Sequence, residues 1–428
     1  MTIDVQETDI LLQADASRVL VRPFDLAWDP TAKERSRAER LITHVLALPK
    51  DVVSGELTRV YRDFSSRHDK VRDIFVRRAN EVIARAGLSA KALDSPMREL
   101  LGSFFCQEYS YASAAVTNPS VTLHPDQGKL ARGEQRIAIA MRTVGEGHIS
   151  SITFREGVVT DCGTLRLEPD PPLSTAANFT SGAHDRPEEG IRVERAEGCS
   201  LSETVIFPMT VAQAGGLEDL RITRLTTEDG TWRWMGTYTA YSGVDIQSEM
   251  MMTNDFERFD MIPMRGEAAR NKGMALFPRK IDGRYAMIAR QDGENLYYIT
   301  SDDPLEWSHG VRILEPKHPW ELIQIGNCGP PIELDEGWLV MTHGVGAMRR
   351  YSIGAALLDK DDPSRVLGRT AQPVLSAAEE QRDGYVPNVV YSCGAMRCGA
   401  KLFLPYGIAD SSVGFAFVEL KDVLDRLQ

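Results

Sequence analysis

From Asn118 to the C-terminus the chain repeats one pattern, a pair of short β-rich runs bounded by Gly, Asp and Pro, and this recurrence restricts the fold more than any other feature. Arg136–Met141 is followed by His148–Arg155, Trp232–Tyr238 by Gln247–Thr253, and Arg284–Ala289 by Asn295–Thr300. Gly337–Thr342 with Tyr351–Leu358 and Lys401–Tyr406 with Val413–Val418 complete the series. The first strands begin at 136, 232, 284, 337 and 401, in steps of 96, 52, 53 and 64 residues. A period near 50 with one long insertion is the mark of a blade-like array. Turn signals at Asp229-Gly230, Asp282-Gly283, Glu336-Gly337 and Cys398-Gly399 precede four of the five units, as hairpins require. The expectation is a mainly β chain, a five-bladed β-propeller whose radial closure leaves a channel where loops converge on a ligand. The insertion from about Gly157 to Thr204, carrying Pro169, Pro171, Pro172 and Pro187, is expected to be a rim or lid.

The N-terminal part has a different period. Between Thr31 and Ala115, apolar residues recur at helical spacing, as in Leu41, Val45 and Leu48 or Val71, Phe75 and Val82. Breaks fall at Pro49 and Gly87, with Ser89 expected to cap the next helix. The boundaries are therefore a helical extension over residues 1–115 and a propeller over 116–428. No catalytic pattern sits on the helices, so their expected role is packing, against the rest of the chain or a second subunit in a homo-oligomer.

Among 428 residues, 49 basic and 61 acidic side chains give a net charge of −12, with no Lys/Arg-rich run, which argues against nucleic acid as a partner. Met1–Glu7 is acidic where a signal peptide is basic, and no run reaches the length of a membrane span, so a cytoplasmic address without a membrane partner is expected. Six dispersed cysteines lack the paired spacing of a zinc site, so no metal is expected. The chain also lacks GxxxxGK[ST], HExxH and GxSxG, the signatures of nucleotide-triphosphate, zincin and α/β-hydrolase chemistry.

Polar residues concentrate instead in the loops of the array. Gly215-Gly216-Leu217-Glu218-Asp219-Leu220-Arg221-Ile222 sets an acid pair beside an Arg at a strand entrance, where one carboxylate can enter a pocket and the guanidinium can orient it or a substrate. The same pattern also suits a turn cap. Arg142–Ser151 places Arg142, His148, Ser150 and Ser151 around Gly145 and Gly147, which fits either close ligand approach or a plain hairpin turn. Arg265 to Lys280 carries five cations, among them Lys272, and reads as a solvated rim or an anion site. The fourth stretch runs from Gly326-Asn327-Cys328-Gly329-Pro330-Pro331 to Thr342-His343-Gly344.

These residues, in this order, resemble glycoside hydrolase family 130, the β-mannoside phosphorylases and β-mannosidases. The marks are Asn118-Pro119, Arg142–Ser151, Glu218-Asp219-Leu220-Arg221-Ile222 against Glu-Asp-Pro-Arg-Ile, Asn271-Lys272 with Leu276-Phe277-Pro278, Gly329-Pro330-Pro331-Ile332 with His343-Gly344, and Val386-Pro387-Asn388-Val389-Val390. The resemblance runs from about Asn118 to the C-terminus and leaves the helical part outside.

The resemblance implies a five-bladed propeller and an inverting mechanism in which Asp219 is the acid, leaving space for a nucleophile on the opposite sugar face. In a phosphorylase the proton passes through a mannosyl hydroxyl and inorganic phosphate replaces water. Phosphate needs cations rather than a base, and Arg221, Lys272 and His343 stand at matching positions. Asn118, Arg142, His148, Ser150, Glu218, Tyr241, Tyr385 and Asn388 are the expected sugar contacts, and no cofactor is implied beyond phosphate as co-substrate. Three departures bear on the site: loop 241–247 has no Arg, Tyr385 replaces an Asp, and Leu220 replaces the Pro after the acid. Three readings follow. The first is phosphorolysis of a manno-oligosaccharide or other β-mannoside to α-mannose 1-phosphate. The second is hydrolysis of such linkages with Glu294 or Glu321 as base, and the third is a non-catalytic glycan-binding propeller.

Overall fold

The computed structural model describes residues 3–28, 36–89, 93–182 and 189–428; Pro187, and Thr31 where the helical pattern was expected to begin, lie outside them. Two compact units form: one from the residues up to Ala16, Tyr111–Pro171 and Ala177–Gln428, the other from Ser17–Ser110 and Pro172–Ala176.

The first unit is mainly β. All five anticipated strand pairs are antiparallel ladders: Glu134–Val144 with Ser150–Thr160, Trp232–Tyr241 with Ile246–Thr253, Tyr285–Ala289 with Leu296–Ser301, Trp338–Val345 with Tyr351–Leu358, and Lys401–Ile408 with Ser412–Glu419. The four turn glycines adopt positive φ, from 61° at Gly399 to 144° at Gly337, a region closed to most side chains. Each pair is preceded by an inner strand: Ala115–Leu123, Gly216–Thr226, Ala275–Leu276, Gln324–Asn327 and Val390–Tyr391, giving five meanders.

Alternation along each strand buries both faces, so every meander contributes to two cores. Ala140, Phe154, Ile222 and Trp234 join the first meander to the second; Met235, Met250, Leu276 and Met287 the second to the third. Phe277, Ile288, Trp338 and Ala356 join the third to the fourth, and Met341, Ile353, Leu404 and Tyr406 the fourth to the fifth. A further cluster, with Val121, Ile139, Phe403 and Phe415, connects the fifth back to the first. Trp234, Trp307 and Trp338 are fully buried, each stabilising the fold by about 4–6 kcal/mol on area grounds.

The insertion expected as a rim or lid builds strands among its described residues. Leu165–Leu167 and Thr204–Ile206 pair with Ser150–Thr160, while Asn178–Gly182 and Ile191–Glu194 extend the second meander through Arg258–Pro263. Glu156 pins this excursion by accepting hydrogen bonds from Ser202 N (3.0 Å) and Ser202 Oγ (2.9 Å). Residues 1–115, expected as a helical extension, also supply strands to the first unit. Val5–Glu7 and Leu12–Gln13 pair with Ser412–Glu419, giving the fifth meander an outer strand from the other end of the sequence.

The second unit contains α1 (Arg37–Leu46), α2 (Lys50–Phe64), α3 (Val71–Arg85) and α4 (Ser95–Ser103), with Val19–Pro23 paired to Cys106–Ser110. Ser36 and Glu39 close a capping box on α1. Asp94, rather than Ser89, caps α4 by accepting from Met97 N at 3.0 Å. Ile42, Val45, Ala79, Val82 and Leu101 form its core. Among the described residues no helix is long and apolar enough to cross a membrane.

Candidate active site

Two β-bulges build the site. The register of Ala115–Leu123 slips between Thr117 and Ser120, and that of Gly216–Thr226 slips between Glu218 and Arg221. At each slip a non-glycine residue adopts left-handed backbone, Asn118 at φ 49° and Asp219 at φ 58°. Asn and Asp tolerate this region better than other side chains, and a bulge re-aims the residue it carries. Asn118 Nδ2 then donates to Asp219 Oδ1 at 2.6 Å. Gly216–Thr226 also meets Ser150–Thr160 through a parallel bridge, Gly216 to Ser150; a Cβ on Gly216 would lie 2.7 Å from Ser150 N.

Around Asp219 the charges interlock. Arg142 donates from Nε to Ser150 Oγ (2.9 Å) and from a terminal nitrogen to Glu218 Oε1 (2.8 Å), and lies 3.8 Å from Asp219 Oδ1. Lys272 Nζ donates to Glu218 Oε2 at 2.6 Å. Arg221, 2% exposed, donates to the Asp219 carbonyl (2.9 Å) and to Tyr391 Oη (2.6 Å). Burial by itself lifts the Asp219 pKa, but Arg142, Arg221, the Asn118 hydrogen bond and Lys272 outweigh it and hold the carboxyl below its ordinary range.

His343 is brought to this cluster, but not as a cation. Burial, followed by Arg290 and Arg221, pushes its pKa well below the ordinary imidazole value. Neutral at pH 7, it faces the Asn327 carbonyl through Nδ1 at 3.1 Å and Arg290 through Nε2 at 3.4 Å. The positive charge at this position therefore belongs to Arg290, which follows the buried strand Tyr285–Ala289 and was not singled out from the sequence.

Two further residues, Asp410 and Tyr391, escaped sequence reading, and Asn327 of the fourth stretch joins them at the site. Asp410, at the tip of the last hairpin with φ 49°, accepts from Thr117 Oγ1 at 3.2 Å, and Thr117 also donates to Asn118 Oδ1 at 2.9 Å. Burial, then the neighbouring charge of Asp219, raises the Asp410 pKa. Tyr391 packs edge-on to His343 at 4.8 Å, and Asn327 Nδ2 donates to the Gly273 carbonyl at 2.5 Å. One sequence signal was available: a proline inside an inner strand, Pro119, points to a bulge.

The other expected residues divide. His148 and Tyr385 meet at 3.1 Å between His148 Nδ1 and Tyr385 Oη, with Tyr385 53% exposed. Asn388 has φ 62° and its carbonyl accepts from Tyr351 N at 3.1 Å. Tyr241 spends its hydroxyl on the Gly243 carbonyl within its own turn, at 2.8 Å. Glu294 is exposed on the turn after Arg290. Glu321 is 1% exposed and its Oε1 accepts from Lys317 N (3.2 Å) and His318 N (3.1 Å) and pairs with Arg369 (3.3 Å). A carboxylate so enclosed and so occupied is a structural anchor, unsuited to activating a water. Among the described residues no group of three or more His, Cys, Asp or Glu side chains converges as a metal site.

Comparisons with known proteins identify the family. The model of glycoside hydrolase family 130, described as beta-1,4-mannooligosaccharide phosphorylase, matches residues 186–428. The 1,2-beta-oligomannan phosphorylase of Thermoanaerobacter sp. (strain X514) is 34% identical over 229 residues, covering 52% of this chain and 75% of that protein. The beta-1,2-mannobiose phosphorylase of Listeria innocua serovar 6a is 31% identical over 232 residues, covering 52% and 63%. A solved structure of a Listeria innocua beta-1,2-mannobiose phosphorylase with beta-1,2-mannobiose superposes with TM-score 0.50 at 23% identity, over 73% of this chain and 92% of that one, a likeness of fold. With the family model spanning more than half of the sequence, Asp219 and Arg221 included, the chain is an enzyme of glycoside hydrolase family 130.

Proposed function

We propose that this enzyme is an inverting phosphorylase that transfers a β-linked mannosyl unit to inorganic phosphate, forming α-mannose 1-phosphate and a shortened acceptor, in the channel of a five-bladed β-propeller. Five cores that each join consecutive meanders, the last returning to the first, support the closed ring. The names of the similar proteins support the mannoside as substrate.

The observation that carries phosphorolysis is the pair Arg221 and Arg290. Neither has a carboxylate within 4 Å among the described residues, and each leaves a buried Nε without a partner. Arg221 is buried and Arg290 half-buried, and a guanidinium drawn out of water without a carboxylate in direct contact is costly unless an anion completes it. Both flank the acid, since Arg221 binds the Asp219 carbonyl and Arg290 sits on His343, itself within the field of Arg221 and Asp219.

In this reading Asp219 supplies a proton, through a mannosyl hydroxyl, to the glycosidic oxygen as the bond to the anomeric carbon breaks. A phosphate oxygen, held by Arg221, Lys272 and Arg290, attacks that carbon from the opposite face, which inverts β to α. Neutral His343 positions Arg290. Asn118 fixes the Asp219 rotamer, and Arg142, Glu218 and Ser150 present charged and hydroxyl groups to the sugar. Hydrolysis would need a base: Glu321 is buried with its Oε1 taken by Lys317 N, His318 N and Arg369, and Glu294 stands exposed on a turn. The test is incubation of β-1,2- and β-1,4-mannobiose with and without phosphate. Phosphate-dependent α-mannose 1-phosphate is expected, and free mannose released at equal rates in both would reject phosphorolysis.

A further inference from the structure

Asp219 poses a difficulty that its surroundings also resolve. A proton donor must carry a proton, yet Asp219 faces Arg142, Arg221 and Lys272, a field that favours the carboxylate. Its two oxygens are not equivalent. Oδ1 is engaged by Asn118 at 2.6 Å and lies 3.8 Å from Arg142, whereas Oδ2 has no hydrogen-bond partner among the described residues. The other titratable groups facing it are Glu218, Asp410, His343, Tyr391 and Cys393. Glu218 already takes one hydrogen bond each from Arg142 and Lys272. Arg221 and Arg290 have no carboxylate in direct contact among the described residues, and Arg221 acts on Asp219 across a longer distance.

We propose that a tetrahedral dianion seated on Arg221 and Arg290 loads Oδ2 of Asp219 with a proton from solvent, so that phosphate arms the acid that its own reaction requires. The inference rests on the anion site of the preceding subsection. The bound dianion compensates the guanidinium charge that keeps Asp219 ionised and adds negative charge of its own nearby. Both effects favour the protonated carboxyl. The only covalent change is a proton transfer, in which an O–H bond of hydronium or buffer acid breaks as the O–H bond at Oδ2 forms, and turnover passes that proton to the departing sugar oxygen. The enzyme without phosphate then holds an ionised Asp219, which also protects bound oligosaccharide from cleavage by water.

Sulfate is the probe, because it mimics the dianion and does not titrate near neutral pH. Calorimetric titration of the full chain with sulfate at pH 7, in buffers of different ionisation enthalpy, counts the protons exchanged. Wild type is expected to take up a proton, approaching about one per sulfate, while Asp219→Asn binds sulfate with that uptake largely lost. Asp410→Asn is expected to retain it. Sulfate binding without uptake, or uptake that survives Asp219→Asn and disappears in Asp410→Asn, overturns the proposal while leaving the anion site standing. Absence of sulfate binding to the wild-type protein removes both.

Discussion

Replacing Arg221 with methionine separates an anion-binding arginine from a structural one. The guanidinium is 2% exposed, and its hydrogen bonds go to two neutral acceptors, the Asp219 carbonyl and Tyr391 Oη. Desolvating the ion costs several kcal/mol, and two charge-assisted hydrogen bonds return about 3–6 kcal/mol together. The net contribution of Arg221 to folding is therefore near zero, and Arg221→Met is expected to change unfolding free energy by no more than about 2 kcal/mol in either direction. Toward phosphate the same side chain contributes a charge-assisted hydrogen bond of about 1.5–3 kcal/mol, so the KM for phosphate should rise about 10- to 150-fold. Urea unfolding and steady-state assays at varied phosphate measure the two quantities on one preparation. A loss of more than about 4 kcal/mol of stability with an unchanged phosphate KM would refute the reasoning and make Arg221 a structural residue.

Asp219→Asn keeps the side-chain shape and removes the proton, so kcat should fall about 10²- to 10⁴-fold while calorimetry still detects mannobiose binding; retention of most of kcat would exclude Asp219 as the acid. Glu321→Gln breaks a buried ion pair with Arg369 and should cost about 3–5 kcal/mol of stability, with kcat/KM of the folded enzyme unchanged; a large selective loss of turnover would restore Glu321 as a base. Glu156 is opposed by burial, but His124 and Ser202 lower its pKa from 4.5 to about 2. Its contribution is complete above pH 4.5 and disappears as pH falls toward 2. Glu156→Gln should therefore flatten the pH dependence of the melting temperature over that window, and a parallel wild-type curve would show the pairing to be energetically silent.

What was legible in the sequence depended on local periodicity. Alternating apolar residues and Gly-marked turns located all five hairpins within a few residues, because a strand pair joined by a short turn is specified by its own segment. Helical spacing located a helical segment for the same reason, with Val45, Val71, Phe75 and Val82 buried and Leu41 and Leu48 half-buried. The family motifs brought Asp219, Asn118, Arg142, Glu218 and Lys272 forward, and these residues meet in space.

The remainder was decided by tertiary structure. Val5–Glu7 pairs with a strand about 410 residues later, a partnership no local window can contain. The bulges at Asn118 and Asp219 depend on how each inner strand meets its neighbour, and only they turn these side chains toward each other. Glu321 and Glu294 look alike in sequence, yet one carboxylate is enclosed by backbone amides and an arginine while the other stands in solvent. Charge behaved likewise: His343 is an ordinary imidazole until burial and two guanidinium groups keep it neutral, with Arg290 as the cation beside it. Sequence by itself determined which elements form and which residue types are present to do chemistry. Protonation states, side-chain direction and the pairing of distant charges were settled by the fold, because each depends on distances and desolvation that exist only after the chain has closed.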